Sequence, residues 1–239
     1  MFLYKQKIVV TGGSGRFGSE LKKIKNKYNL LYPSKSQLNV LNFNNIKRYL
    51  KKEKPKYLIH LAGLSRPMEM HNKYIDKSID LNIIGTSNIT KVCWLLGIKL
   101  IYFSTCYLYP GTKGNYKETD PLLPNNKYAW SKLGGESAVQ MYNNSLILRV
   151  CMTEKPFVHK KAFYDFTTNF IFHDEVAKFL FKLINKRGII NLGGRTQTVY
   201  NFVKKYNPNI KKISAKRIFG QKYPLNPSMD INKLKKIIK

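Results

Sequence analysis

The chain has 239 residues, with 43 basic against 13 acidic side chains and a formal net charge of +30. With 43% hydrophobic and 13% aromatic residues it can bury a core, which excludes a disordered chain. Its longest apolar runs, at 58–62 and 100–103, are too short to cross a bilayer, so no membrane contact is expected. Residues 1–10 lack a long apolar stretch followed by a small-residue cleavage site, so no signal peptide is expected. Cys93, Cys106 and Cys151 have no metal-ligand spacing and the four histidines are scattered. No metal site is expected, and a reducing, cytoplasmic setting is. The positive charge is almost all lysine, since arginine stands only at 16, 48, 66, 149, 187, 195 and 217. Base-reading surfaces favour arginine, so the charge reads as compositional bias, with no specific nucleic-acid partner, although it still attracts an anionic nucleotide.

In chain order, residues 7–11 read as a buried strand running into a glycine-rich turn, followed by a helix over 16–25. Strands at 28–32 and 57–61 flank a helix at 42–52 that stops before Pro55. A helical period spans 79–96 with Gly97 as its C-cap. A strand at 99–103, a long loop, a helix at 128–142 and a strand at 145–150 follow. Short apolar runs alternating with helices predict an α/β fold, a Rossmann-type doubly wound parallel sheet covered on both faces. Beyond Val150 the pattern loosens. Residues 151–172 are irregular and 174–185 helical. A short strand at 188–192 precedes a helix at 199–206, and 211–228 is mostly extended. A last helix runs from 230 to 238. The division expected is a nucleotide-binding domain over 1–150, with 173–192 returning to it, and a small C-terminal substrate-binding cap from 151–172 and 193–239.

The turn after the first strand reads Thr11-Gly12-Gly13-Ser14-Gly15-Arg16-Phe17-Gly18. Gly12 suits a tight turn, Gly15 a close backbone approach to a pyrophosphate, and Gly18 helix packing on the strand. Ser14, Arg16 and Phe17 complete the loop at a helix N-terminus, where backbone N–H groups attract phosphate. The second strand is followed by Ser34-Lys35-Ser36 rather than by an acidic residue. A cationic, hydroxyl-rich loop suits a 2′-phosphate, so NADP(H) is the cofactor expected, with Lys35 at that phosphate.

Tyr128 and Lys132 stand at i and i+4, on one helix face, and the fourth strand ends in Ser104-Thr105. A nearby ammonium is expected to lower the tyrosine pKa, readying it for proton transfer at a carbonyl or alcohol oxygen. Thr-Gly-x-x-Gly-x-x-Gly, a hydroxyl-bearing strand end and Tyr-x-x-x-Lys, in that order, resemble the extended short-chain dehydrogenase/reductases. His60-Leu61-Ala62-Gly63, Asp80-Leu81-Asn82 and Pro224-Leu225-Asn226-Pro227-Ser228 extend the likeness. Within that family they resemble the nucleotide-sugar 4-ketoreductases of the dTDP-4-dehydrorhamnose type, with GDP-L-fucose synthase-like epimerase/reductases second.

The resemblance implies a catalytic triad of Thr105, Tyr128 and Lys132. Tyr128 would protonate the C4 oxygen of a 4-keto-6-deoxy sugar as hydride arrives from NADPH, with Lys132 on the nicotinamide ribose. Leu61, Ala62 and Gly63 would flank the cofactor. A homodimer through the helices at 79–96 and 128–142 is also implied. Arg66 and Arg195 are candidate contacts for the nucleotide diphosphate, since guanidinium suits phosphate, and Arg149 at the end of the fifth strand either edges the substrate pocket or is a buried structural arginine. An alternative within the resemblance is 3,5-epimerase chemistry by Cys106 with His159 or Lys160, which places Cys106 and His159 at the substrate. An alternative of another class is a non-catalytic, cofactor-binding regulatory subunit.

Overall fold

A computed structural model describes residues 5–239; residues 1–4, part of the stretch read for a signal peptide, lie outside the described residues. The elements begin β1 (Lys7–Thr11), α1 (Arg16–Lys23), β2 (Asn29–Leu31), α2 (Phe43–Glu53) and β3 (Tyr57–His60). Two one-turn helices follow, α3 (Met70–Lys73) and α4 (Ile75–Ser78), and a π-helical turn at Ile79–Ile84 leads into α5 (Gly85–Leu96). Then come β4 (Lys99–Thr105), α6 (Lys127–Gln140) and β5 (Ser145–Val150). The second half holds β6 (Met152–Thr153), β7 (Lys161–Phe163), β8 (Thr167–Thr168), β9 (Ile171–Phe172), α7 (His173–Leu183) and β10 (Gly188–Leu192). It ends with β11 (Gln197–Thr198), α8 (Val199–Lys204), β12 (Lys211–Ile213), α9 (Ala215–Phe219) and α10 (Asn232–Ile238).

Six strands form one parallel sheet in the order β10-β5-β4-β3-β1-β2. The chain crosses from β2 back over β1 to β3, and that reversal of winding direction opens a crevice at the carboxyl ends of β1 and β3. Strand residues alternate between two cores. Ile8, Val10, Ile101 and Leu148 pack toward α1 and α7, and Val9, Leu58, Leu100 and Ile147 pack toward α2 and α5. Both faces are covered, which is why the strands read as unbroken apolar runs. Gly97 takes φ +67 and closes α5, and Asn42 and Asn126 cap α2 and α6 through Asn45 N–H and Ala129 N–H.

The irregular second half makes three small ladders, β6 with β9, β7 with β12 and β8 with β11. They enclose their own core of Phe166, Phe172, Val199, Phe202 and Ile210. One expected boundary is corrected. The terminal helix does not join this cap: Leu234 of α10 sits in the core beside α7, and the helix packs on α7 and β10.

Candidate active site

The glycine turn is built as tightly as backbone allows. Gly12 has φ +69, and a Cβ there would stand 2.6 Å from Ala62 N. A Cβ on Gly18 would stand 2.7 Å from Gly13 Cα, so α1 begins pressed against the turn. Thr11 Oγ1 accepts from Leu61 N–H and Ala62 N–H and pairs with His60 Nδ1 at 2.8 Å, fixing the β3 end against the β1 end. Residues 61–63 therefore border the turn. Gly15, the N-cap, has no side chain to satisfy the first N–H groups of α1, which leaves backbone donors at the mouth of the crevice. That is the donor set an anionic dinucleotide phosphate requires.

Arg16 and Arg66 reach one carboxylate. Glu154, just past β6, receives Arg66 Nη1 at 2.9 and 3.1 Å and Arg16 Nη1 at 3.1 Å. Burial works to raise the Glu154 carboxyl, but its own backbone N–H and the two guanidinium groups outweigh it and hold the group below the usual range. Sequence reading missed Glu154. Its scarcity was the available signal, since the chain has only 13 acids. Lys35 lies exposed in the 34–37 turn, lining a polar pocket with Asn39, Asn45 and Arg48. The residue that follows β2 directly is Tyr32, whose ring lies against Gly13, under Lys22 Nζ at 4.9 Å.

Tyr128 and Lys132 come off the first two turns of α6, beside the end of β4. Asn82 braces this helix to the β3 loop: its side chain bonds both Leu64 backbone groups and donates to Ser131 Oγ, each at 2.8 Å. Thr105 is buried at the end of β4, and its hydroxyl accepts from Tyr107 N–H at 3.3 Å. His71, a residue sequence reading passed over, packs its ring 5.1 Å from that of Tyr128, and Tyr107 meets it edge-on at 6.5 Å. The expected lowering of the tyrosine is corrected. Burial pushes Tyr128 up to about 12, with the Cys106 thiol adding to the rise and Thr105, Arg66 and Arg16 opposing it. Burial also lowers Lys132 to about 7, against the pull of Glu136. For each group desolvation outweighs the charges around it. Tyr128 therefore holds its proton at neutral pH, the state a proton donor needs.

Two other assignments are corrected. Arg149 does not face the substrate. It is 2% exposed, bonds Glu136 through Nη2 at 2.7 Å and Nε at 3.1 Å, and donates through Nη1 to Tyr109 Oη and the Glu118 carbonyl. These buried partners spend its guanidinium, so its role is structural. Cys106 is enclosed by Tyr109, Tyr116, Cys151 and Met229, while His159 is exposed against Phe157 and Lys160 is exposed. Hydrogen bonding with Cys151, then burial, keeps the Cys106 thiol well above its ordinary pKa, so it is not poised as a base. Arg195 is exposed just after β10, at the carboxyl edge of the sheet. Among the described residues no helix is long and apolar enough to cross a membrane.

The six-stranded parallel sheet, the glycine turn at its first strand and the Tyr–Lys helix beside its fourth define an extended short-chain dehydrogenase/reductase fold. More narrowly, the chain belongs to the family described as the RmlD substrate binding domain, which it matches over residues 6–163. Among solved structures it resembles a dTDP-4-dehydrorhamnose reductase from Bacillus anthracis in complex with NADP. The TM-score is 0.85 at 22% identity, covering 97% of this chain and 92% of that one. A hypothetical dTDP-4-dehydrorhamnose reductase from Sulfolobus tokodaii gives 0.83 at 23%, covering 97% and 94%. Among curated relatives, methionine adenosyltransferase 2 subunit beta of Pongo abelii is 30% identical over 155 residues, 61% of this chain and 46% of that one. The spore coat polysaccharide biosynthesis protein SpsK of Bacillus subtilis is 28% identical over 148 residues, 60% and 52%. The chain spans about half the length of the curated relatives it matches.

Proposed function

We propose that the chain is an NADP-dependent reductase of a 4-keto-6-deoxy nucleotide sugar, of the dTDP- or UDP-4-dehydrorhamnose type, in deoxysugar biosynthesis. The observation that carries this reading is the placement of Tyr128 and Lys132 one turn apart on α6, which packs on β4 where that strand ends in the buried Thr105. NADPH supplies hydride when bound. The first-turn N–H groups of α1 and Arg16 fit its phosphates, and Lys132 fits its ribose, because among the described residues the ammonium makes no hydrogen bond or ion pair. Lys35 is the candidate for the 2′-phosphate. Tyr128 Oη gives its proton to the C4 oxygen, and Thr105 Oγ1 bonds the same oxygen and holds it in line. The phenolate left on Tyr128 lies within the field of Arg66 and Arg16, which favours its charge. Arg66 and Arg195 are left as candidates for the nucleotide diphosphate.

The test is NADPH oxidation with 4-keto-6-deoxyglucose linked to dTDP and, separately, to UDP, each with and without a 3,5-epimerase. Turnover only with the epimerase makes the chain a 4-reductase. A non-catalytic subunit is the second reading, favoured by the relatives named as a subunit of methionine adenosyltransferase. It expects NADPH binding without turnover. A homodimer belongs to the first reading. Ile79, Ile84, Trp94, Leu95 and Trp130 are exposed on the 79–96 and α6 surface, where α5 carries only one charge, Lys91, in a chain of +30.

A further inference from the structure

Lys132 is held in an unusual way for a half-buried ammonium. Its Nζ lies 4.1 Å from the centroid of the Tyr102 ring, and no carboxylate pairs with it among the described residues. Glu136 stands one turn on, but its Oε1 is taken by Arg149 at 2.7 Å and by Gln140 at 3.1 Å. Tyr102 itself is fixed from several sides. It is fully buried on β4, its hydroxyl donates to the Lys132 carbonyl at 3.2 Å, and its ring stacks on His60 at 6.0 Å. His60 is neutral, since burial and then Lys132 push it down to about 3, and its nitrogens are committed to Thr11 and Thr86. The helix can come this close because Gly135 has no side chain; a Cβ there would stand 2.9 Å from Tyr102 Oη.

We propose that Tyr102 is a positioning residue for Lys132, whose ring face carries the ammonium in place of a carboxylate. The distinction has a chemical consequence. A carboxylate would hold the lysine by consuming its N–H donors, whereas a π face attracts the charge and leaves those donors for ribose hydroxyls. The inference rests on reading Lys132 as the residue that binds the cofactor ribose. The titratable and charged groups acting around Lys132 are Glu136 and Tyr128 on α6, Tyr102 on β4, His60 on β3, and Arg149 on β5 through Glu136. His71 on α3 packs its ring on Tyr128 and pairs through Nδ1 with Ser78. Lys91 on α5 points to Phe43, and Asp80 lies in the 79–84 turn.

The test is NADPH binding by fluorescence, as a function of pH, in the full chain. Tyr102→Phe keeps the ring and is expected to bind within about twofold of wild type. Tyr102→Leu is expected to bind about tenfold more weakly, and the alkaline midpoint of binding should move down by about one pH unit, because the unsupported ammonium loses its proton sooner. In a Lys132→Met background, Tyr102→Leu should add no further loss. Fluorinated phenylalanines at 102 weaken the ring quadrupole without changing its shape, so they avoid any folding defect, and they should weaken binding stepwise. A flat fluorination series, or an equal loss from Tyr102→Leu with and without Lys132, overturns the role given to Tyr102. If the wild-type chain binds neither NADPH nor NADH, the reading of the crevice falls, and this proposal with it.

Discussion

Replacing Arg149 by methionine strips the guanidinium from a site where nothing can take its place. Arg149 is 2% exposed and Glu136 0%, so the carboxylate left behind has no route to water. Breaking a buried pair from one side costs about 3–5 kcal/mol, most of it the uncompensated charge. The Glu118 carbonyl also loses a donor, for about 1 kcal/mol more, while Tyr109 Oη keeps its bond to Asn191 Oδ1 at 2.7 Å. Urea unfolding followed by circular dichroism should therefore show Arg149→Met destabilised by about 4–6 kcal/mol, a drop in Tm of roughly 10–20 °C for a chain of this size. The double variant Glu136→Leu, Arg149→Met removes both charges and should recover most of that loss. A single variant that loses less than about 1 kcal/mol, or a double variant no better than the single, would refute the assignment of Arg149 to structure.

Glu154 shares Arg16 and Arg66 with any phosphate that approaches α1, so Glu154→Gln should tighten NADPH binding about two- to fivefold; weaker binding would show that the carboxylate aligns the arginines instead. His60 is held neutral with its pKa near 3 against an unfolded value near 6.5, so the unfolded chain binds the extra proton between those values. Stability from this group is complete above about pH 6.5 and falls on acidification by about 1.4 kcal/mol per unit toward pH 3. A His60→Gln variant should flatten that slope in acid-unfolding titrations, and an unchanged slope would assign it to the carboxylates. Trp94→Lys, at a position 63% exposed, should convert a light-scattering dimer to monomer without loss of helical signal, and a dimer that survives would place the interface elsewhere.

Much of the sheet was readable from sequence because its strands are buried on both faces. The strands at 145–150 and 188–192 begin and end where expected, and the Gly12 turn and the Gly97 cap depend on backbone positions that glycine marks. Four features were not readable, each for a physical reason. The one-turn helices α3 and α4 are too short to show a hydrophobic period, so His71 was never placed against Tyr128. The Arg149–Glu136 pair joins a strand to a helix, and no local spacing predicts it. Tyr102 reads as an ordinary strand tyrosine until α6 is laid across it. The stripe of Ile231, Leu234 and Ile238 tells that α10 is amphipathic but not which layer it covers, and that is why the cap boundary fell in the wrong place.

The central claim, proton donation by Tyr128 in a nicotinamide-dependent ketone reduction, is tested most directly by the rate of NADPH oxidation in wild type and Tyr128→Phe with the 4-keto-6-deoxy sugar nucleotides. The account requires turnover by wild type and a loss of about a hundredfold or more in the variant, with NADPH binding retained. Full turnover by a folded, cofactor-binding Tyr128→Phe protein would contradict it.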